Sequence, residues 1–316
     1  MAIKAQFPDE QAADGSFTRQ DDQFRDWVRA DAGSQYRVVA GRYHLYVSLA
    51  CPWACRTVIV RKLKMLEDAI GMTVVDPIRD ERGWRFTSSE PDAINDWAFL
   101  SEAYFASDPG YSGRVTVPVL WDKERKRIVS NSDDDIMRMF ETEFDALALN
   151  PELDLYPPEL RAEIDQLNDH IYETFNNGVY RAGFATAQAP YERAAYRVFE
   201  TLDAMEARLS RQRYLFGAQP LETDWRFFVT LVRFDPVYYG HFKCNLRRIV
   251  DYPNLYGYLR DLYQIDGVAE TVNFDHIKRH YYMTHDDINP TRIVPIGPLQ
   301  DLTSPHGRER LSLSPE

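Results

Sequence analysis

An α/β domain followed by an all-α domain is the fold class this sequence predicts, and three observations carry it. Between Tyr43 and about Asn150, short runs rich in aromatic and β-branched residues alternate with runs whose apolar residues recur at helical spacing. Beyond Asn150-Pro151 only long helical patterns remain. A chain of 316 residues, 44% hydrophobic and 13% aromatic, has enough apolar surface for two cores.

The elements follow in order. Residues 1–42 are polar and broken by Asp14-Gly15 and Gly33-Ser34, so they read as an arm wrapping a domain that starts later. Tyr43 to Leu49 reads as a strand, which Ala50-Cys51-Pro52 stops. From Trp53 to about Ala69, Val58, Leu63, Leu66 and Ile70 share one side of a helix, with Pro52 at its first position and Cys51 at the N-cap. Met72 to Ile78 is a second strand, parallel to the first because a helix-length crossover separates them. Residues 79–112 read as an insertion with a short helix around Trp97 to Phe105. Val115 to Trp121 and Arg127 to Val129 form an antiparallel hairpin over the charged turn Asp122 to Lys126, and a helix starts near Ser132.

This β-α-β, insertion, β-β-α order over 43–150, with Pro118 interrupting the third strand, is thioredoxin-like. A proline removes a ladder donor, so Pro118 leaves the N–H and C=O of Val117 to an extended ligand. Over 151–286, helices are expected at Pro158 to Asn177, Pro190 to Arg211, Asp224 to Cys244 and Asn254 to Gln264. Their three-and-four spacing, as in Ala195, Val198, Phe199, Leu202, Met205 and Leu209, makes a helix bundle. The tail, 287–316, is expected to run extended and, from Asp287 to Pro298, to pack across the molecule, with its final Ser and Pro residues disordered.

Charge and composition exclude several functions. With 37 Lys+Arg against 49 Asp+Glu the net charge is −12, which would repel a phosphate backbone, so no nucleic-acid partner is expected. Met1 to Asp9 contains no apolar leader core, and no run approaches the roughly 18 apolar residues of a spanning helix. A cytoplasmic location without membrane attachment is expected. Three cysteines, Cys51, Cys55 and Cys244, cannot form a disulfide framework and are expected as reduced thiols. The seven histidines lack metal-ligand spacing, so no metal is expected; His276 and His280, four apart, read as an exposed helix face.

One cysteine stands where chemistry is expected. A thiol at a strand-to-helix turn before proline lies near unsatisfied helix N–H groups and the positive end of the helix dipole, which stabilise its thiolate. Cys51 is therefore the candidate nucleophile. The alternative is a small buried hydrophobe. Cys55, one turn on, and Cys244 are expected to be packing residues.

Several long motifs then carry a resemblance. Ser48-Leu-Ala-Cys51-Pro-Trp-Ala54, Gly83-Trp-Arg-Phe86, Tyr111 to Asp122, Asn176 to Thr186, Leu231 to Asn245 and Ile277 to Tyr282 are similar to those of the glutathionyl-hydroquinone reductases, the Xi class of glutathione transferases. The resemblance extends from about Tyr43 to Pro298. It implies a homodimer of glutathione-transferase-like subunits that uses glutathione to reduce glutathionyl-hydroquinones to hydroquinones, releasing glutathione disulfide. Cys51 would carry a mixed disulfide with glutathione. Tyr180 and Tyr281 would donate to the developing enolate oxygen, with Tyr282 competing for the role of Tyr281. Trp84 would lie over glutathione, and Val117, before Pro118, would pair its backbone with the cysteinyl unit. A broader glutathione-dependent thiol transferase, a dehydroascorbate reductase and a non-catalytic carrier of aromatic ligands are the alternatives.

The chain departs from the family at one place. Where relatives carry Glu-Ser at the start of the helix after the hairpin, it reads Asn131-Ser132-Asp133-Asp134-Asp135. Either Ser132 serves the γ-glutamyl carboxylate of glutathione while Asp133 turns to its ammonium, or Asp133 repels that carboxylate and weakens binding. A lesser departure is Leu221, where many transferases have a capping Ser or Thr, which leaves Asp224 to cap its helix alone.

Overall fold

Strand β1, Tyr43–Val47, is buried along its whole length because every neighbour it could have is present. In the computed structural model, which describes residues 10–312, β1 pairs in parallel with β2, Gly71–Val74, and antiparallel with β3, Val119–Asp122. Strand β4, Arg127–Ser130, closes the sheet in the order β2-β1-β3-β4. Helix α1, Pro52–Leu63, links the parallel strands and packs against α3, Asp133–Thr142. These elements belong to a unit formed by Gln20–Asp154 and Glu270–His280.

Within this unit the chain from Gln20 shields the free edge of β4. Asp26 N–H donates to Val129 O at 3.0 Å, and Asn131 N–H donates to Phe24 O at 3.0 Å. An edge strand is thereby covered before another chain can pair with it.

Several elements are shorter than their patterns suggest: β1 ends at Val47 and not Leu49, and β2 ends at Val74 and not Ile78. The third strand begins at Val119, not Val115, because Tyr104 takes the backbone of Thr116: its hydroxyl donates to Thr116 O at 2.9 Å and accepts Thr116 N–H at 3.1 Å. The Val117-Pro118 bond before the strand is cis. Helix α2 runs over Ser101–Ser107 and not from Trp97. The Asp92 carboxylate holds Ile94, Asn95 and Trp97 N–H groups in a turn, and Glu102 reaches back to Ala98 and Phe99. Helix α1 ends at Leu63, after which Met65 takes a positive φ.

The second unit contains residues 10–19, Leu155–Ala269 and 281–312. Its helices are α4 (Arg161–Ile171), α5 (Gly178–Gly183), α6 (Gln188–Leu209), α7 (Glu222–Arg233) and α8 (Pro253–Tyr263); α9, Phe274–Thr284, enters it at Tyr281. Every residue of α7 is buried, making it the central rod of the bundle. The helices expected over 158–177 and 224–244 do not run through. Each is interrupted by a π turn, Tyr172–Asn176 and Phe234–Tyr238, marked by Asn177 N–H donating to Tyr172 O at 2.9 Å and Tyr239 N–H to Phe234 O at 2.8 Å. Pro236, which lacks an N–H, sits in the second.

In the tail, the side chains of Ile296 and Leu299 are 91% and 93% exposed. Residues beyond them are fastened to the helical unit: Tyr256 and Arg260 donate to Asp301 O, and Arg308 Nη2 donates to Leu209 O, Gln212 O and Arg213 O. Glu309–Ser312 forms a 3-10 turn; the expected disorder of the final residues concerns 313–316, outside the described residues.

Asp224 caps α7 as its pattern requires. One carboxylate oxygen accepts Leu221 N–H at 2.9 Å, and the other accepts Leu215 N–H and the Tyr258 hydroxyl. Burial outweighs these bonds and pushes its carboxyl up to about 6. An acid raised in the folded state stabilises the fold while protonated, and that contribution fades as pH rises towards the folded value. Asp224→Asn, which stays neutral, is therefore expected to gain roughly 3 kcal/mol on the parent between about pH 4 and pH 7. Denaturant unfolding at both pH values checks this; a constant difference would contradict it.

Candidate active site

The sheet register brings Cys51 to Val117. Because Tyr46 pairs with Val119 in an antiparallel ladder, the chain leaving β1 passes the chain entering β3. The Cys51 thiol donates to Val117 O at 3.5 Å, and its Sγ accepts Ala54 N–H at 3.5 Å as the N-cap of α1. Pro52 occupies the first turn, where a missing N–H costs nothing. The other cysteines differ. Cys55 is buried and donates to Thr271 O at 3.7 Å, whereas burial pushes the Cys244 thiol up to about 12.

Trp84 is also in the sheet unit, after the positive-φ Gly83. Its indole stacks on the imidazole of His280 at 5.0 Å between ring centroids, and the Arg79 guanidinium lies 5.8 Å from its ring. His280 is buried, with Nδ1 2.7 Å from Pro77 O, which makes Nδ1 the protonated nitrogen. The expected exposed histidine face is thus corrected: His280 is held in place because a backbone carbonyl and an indole both need it.

At the start of α3, Ser132 is the N-cap and its hydroxyl accepts Asp135 N–H at 3.3 Å. The acids that follow have arginine partners. The Arg56 side chain, 1% exposed, donates to Asp133 at 2.8 Å and Asp134 at 3.1 Å, while Arg25 forms a two-point pair with Asp135. Asp133 therefore carries a compensated charge.

The candidate tyrosines lie in the helical unit. Tyr180 and Tyr281 hydroxyls are 2.5 Å apart, and the Tyr281 hydroxyl is 3.0 Å from that of Tyr238. Burial, then the neighbouring phenols, raise Tyr238 and Tyr281 well above the usual tyrosine range, so both remain proton donors at neutral pH. Tyr282 is committed elsewhere, donating to Pro236 O at 3.1 Å. Phe242 packs on this group, and a Cβ at Gly183 would overlap its ring. His241 and His285 lie 3.2 Å apart beside it, and burial pulls His241 down to about 4.

Sequence reasoning missed Tyr238, although it lies inside the run Phe234-Asp-Pro-Val-Tyr-Tyr239 and directly follows a proline-marked helix break. It also missed Arg56 and His280, whose partners are distant in sequence. Among the described residues no three metal-ligating side chains are grouped, and no helix is long and apolar enough to cross a membrane.

Comparison with known proteins identifies relatives of nearly the whole chain. Residues 188–261 match the family model of the glutathione S-transferase C-terminal domain. The chain is 54% identical to glutathionyl-hydroquinone reductase YqjG of Escherichia coli over 95% of its own length and 94% of that protein's. It is 48% identical to glutathionyl-hydroquinone reductase PcpF of Sphingobium chlorophenolicum, with 93% of each covered. The glutathione-bound structure of YqjG superimposes with a TM-score of 0.87, covering 90% of this chain and 96% of that one. A Xi class transferase from Natrialba magadii, 52% identical, gives 0.89 over 91% and 89%. A thioredoxin-like sheet with a capping thiol, a helical bundle with clustered phenols and these near-complete alignments agree: the chain belongs to the glutathionyl-hydroquinone reductases, the Xi class of glutathione transferases.

Proposed function

We propose that this protein reduces glutathionyl-hydroquinones to hydroquinones, with glutathione as co-substrate. The observation that carries the reading is the Cys51 sulfur at the N-cap of α1, where the Ala54 N–H and the helix dipole favour a thiolate. In the keto tautomer of the conjugate, that thiolate attacks the glutathione sulfur. An S–S bond forms, the C–S bond breaks, and its electron pair moves into the ring carbonyl as an enolate. Protonation yields the hydroquinone. A second glutathione thiolate then attacks the mixed disulfide, releasing glutathione disulfide and Cys51.

The enolate oxygen needs preorganised donors, a role we assign to Tyr180 and Tyr281, with Tyr238 donating behind Tyr281. Glutathione is held, in this reading, by the backbone of Val117 before Pro118, by Ser132 and the N-terminal N–H groups of α3, and by the Trp84 indole. His280, whose Nδ1 donates to Pro77 O, supports that indole. In the same reading Asp133 stands beside the γ-glutamyl carboxylate, with its charge balanced by Arg56. The protein acts in the cytoplasm as a homodimer, a reading favoured by the exposed apolar side chains of Ile293, Ile296 and Leu299.

Three measurements test these assignments. Incubation with glutathione and a glutathionyl-hydroquinone, followed by chromatography, should yield hydroquinone and glutathione disulfide in equal amounts. Cys51→Ser should abolish this, Tyr281→Phe should slow it by roughly a hundredfold or more, and Tyr282→Phe should leave it near the parent rate. Hydroquinone production by Cys51→Ser would remove the mechanism.

Because Arg56 already balances Asp133, Asp133→Ser is expected to change the glutathione dissociation constant by less than about threefold in titration calorimetry. A tenfold tightening would mean that the aspartate repels the ligand after all. Sedimentation equilibrium at micromolar concentration should give twice 36.8 kDa, and a monomer would exclude the homodimer.

A further inference from the structure

The segment before Gln20 is fastened to the same helices that present Tyr180. Residues 10–18 fold back on themselves, with Thr18 N–H donating to Glu10 O at 2.8 Å and Gln11 bridging to Phe17. This loop grips the end of α5 and the start of α6. Gln11 Nε2 donates to Phe184 O at 3.0 Å, Thr186 N–H donates to Gly15 O at 3.0 Å, and the Phe17 and Phe184 rings lie 5.4 Å apart. Gly15 has φ +84° and approaches Ala187 and Thr186 so closely that a Cβ would meet both at 2.9 Å. The attachment is therefore specific, and its product is the position of Arg19. The Arg19 guanidinium stands 4.9 Å from the Tyr180 ring centroid, while its Nε donates to Asn177 Oδ1 at 3.1 Å.

We propose that Arg19 is a positioning residue for the reductive step: its guanidinium, aimed by Asn177, lies on the face of Tyr180 and strengthens that phenol as the proton donor to the enolate oxygen. This rests on the function proposed above. A cation over an aromatic face is attracted to the ring, and the attraction grows as the hydroxyl gives up its proton and the ring becomes more negative. The charge thus acts in the direction in which the reaction moves, and it favours the transition state over the ground state.

Other charged and titratable groups among the described residues also face the phenols. Arg233, on α7, acts on Tyr238 and Tyr281. Arg181, next to Tyr180 in sequence, pairs with Glu173. His241 and His285 lie beside the Tyr281 ring, and burial disfavours a charge on His241. Arg19 supplies the cation on the Tyr180 ring itself.

The test compares two substrates in the full-length protein. A glutathionyl-hydroquinone requires a donor for its enolate. The mixed disulfide of glutathione and 2-mercaptoethanol requires only Cys51, because its leaving group is a thiolate. Arg19→Gln is expected to lower kcat for the hydroquinone conjugate by about tenfold while its KM and the mixed-disulfide rate stay within about twofold. Its alkaline limb should move to higher pH, since Tyr180 would then ionise later. Arg19→Lys, which keeps the charge without the planar fork, should recover part of the rate, and Asn177→Ala should show a smaller loss of the same kind. Equal losses on both substrates would reduce Arg19 to a structural role and overturn the proposal, as would no loss on either. Wild-type protein inactive on the conjugate would instead remove the function proposed above, and this inference with it.

Discussion

The start of α1 is capped by a sulfur. Cys51 is the residue whose side chain meets the Ala54 N–H, which has no partner within the first helical turn, and a thiol is a weak acceptor where a thiolate is a strong one. Ionisation therefore improves the helix terminus and creates the nucleophile at once. The rest of the sheet unit serves this coupling. β1 must be central so that its end is buried, β3 must be its antiparallel neighbour so that Val117 arrives beside Cys51, and Pro118 must precede the ladder so that Val117 stays outside it. A conventional cap such as serine or aspartate would satisfy the helix and leave it without a thiol.

The local half of this design was legible in the sequence. Cys51 followed by Pro52 after a strand pattern marks an N-cap, and Ser132 followed by three acids marks another; both stand where their patterns imply. What was not legible depends on partners remote in sequence. Nothing around Thr116 announces that Tyr104 will occupy its backbone, and nothing in Asp133 to Asp135 announces Arg56 or Arg25. His280 looked like half of an exposed pair because helical spacing describes a face without saying what covers it.

The π turns are an intermediate case. Helical periodicity over 158–177 and 224–244 was strong enough to conceal a break in each, although Pro236 was visible. One extra residue per turn rotates everything downstream by about 100° relative to a continuous helix. Tyr180 lies just beyond the first turn and Tyr238 at the end of the second, and both reach the hydroxyl of Tyr281. The irregularity in each helix thus accompanies a phenol that an unbroken periodicity would have pointed elsewhere.

The loop at residues 10–18 also bears on how the chain is made. Gln11 is bonded to Phe184, 173 positions later, and Arg308 holds carbonyls near Leu209, about a hundred positions earlier. Three separate stretches of polypeptide compose the helical unit. On a ribosome, the first of them waits for Phe184, and Leu209 waits for the third, so the bundle closes only after distant stretches have been made. The four strands, by contrast, are all present once Ser130 has left the exit tunnel, so the sheet can pair long before the bundle closes.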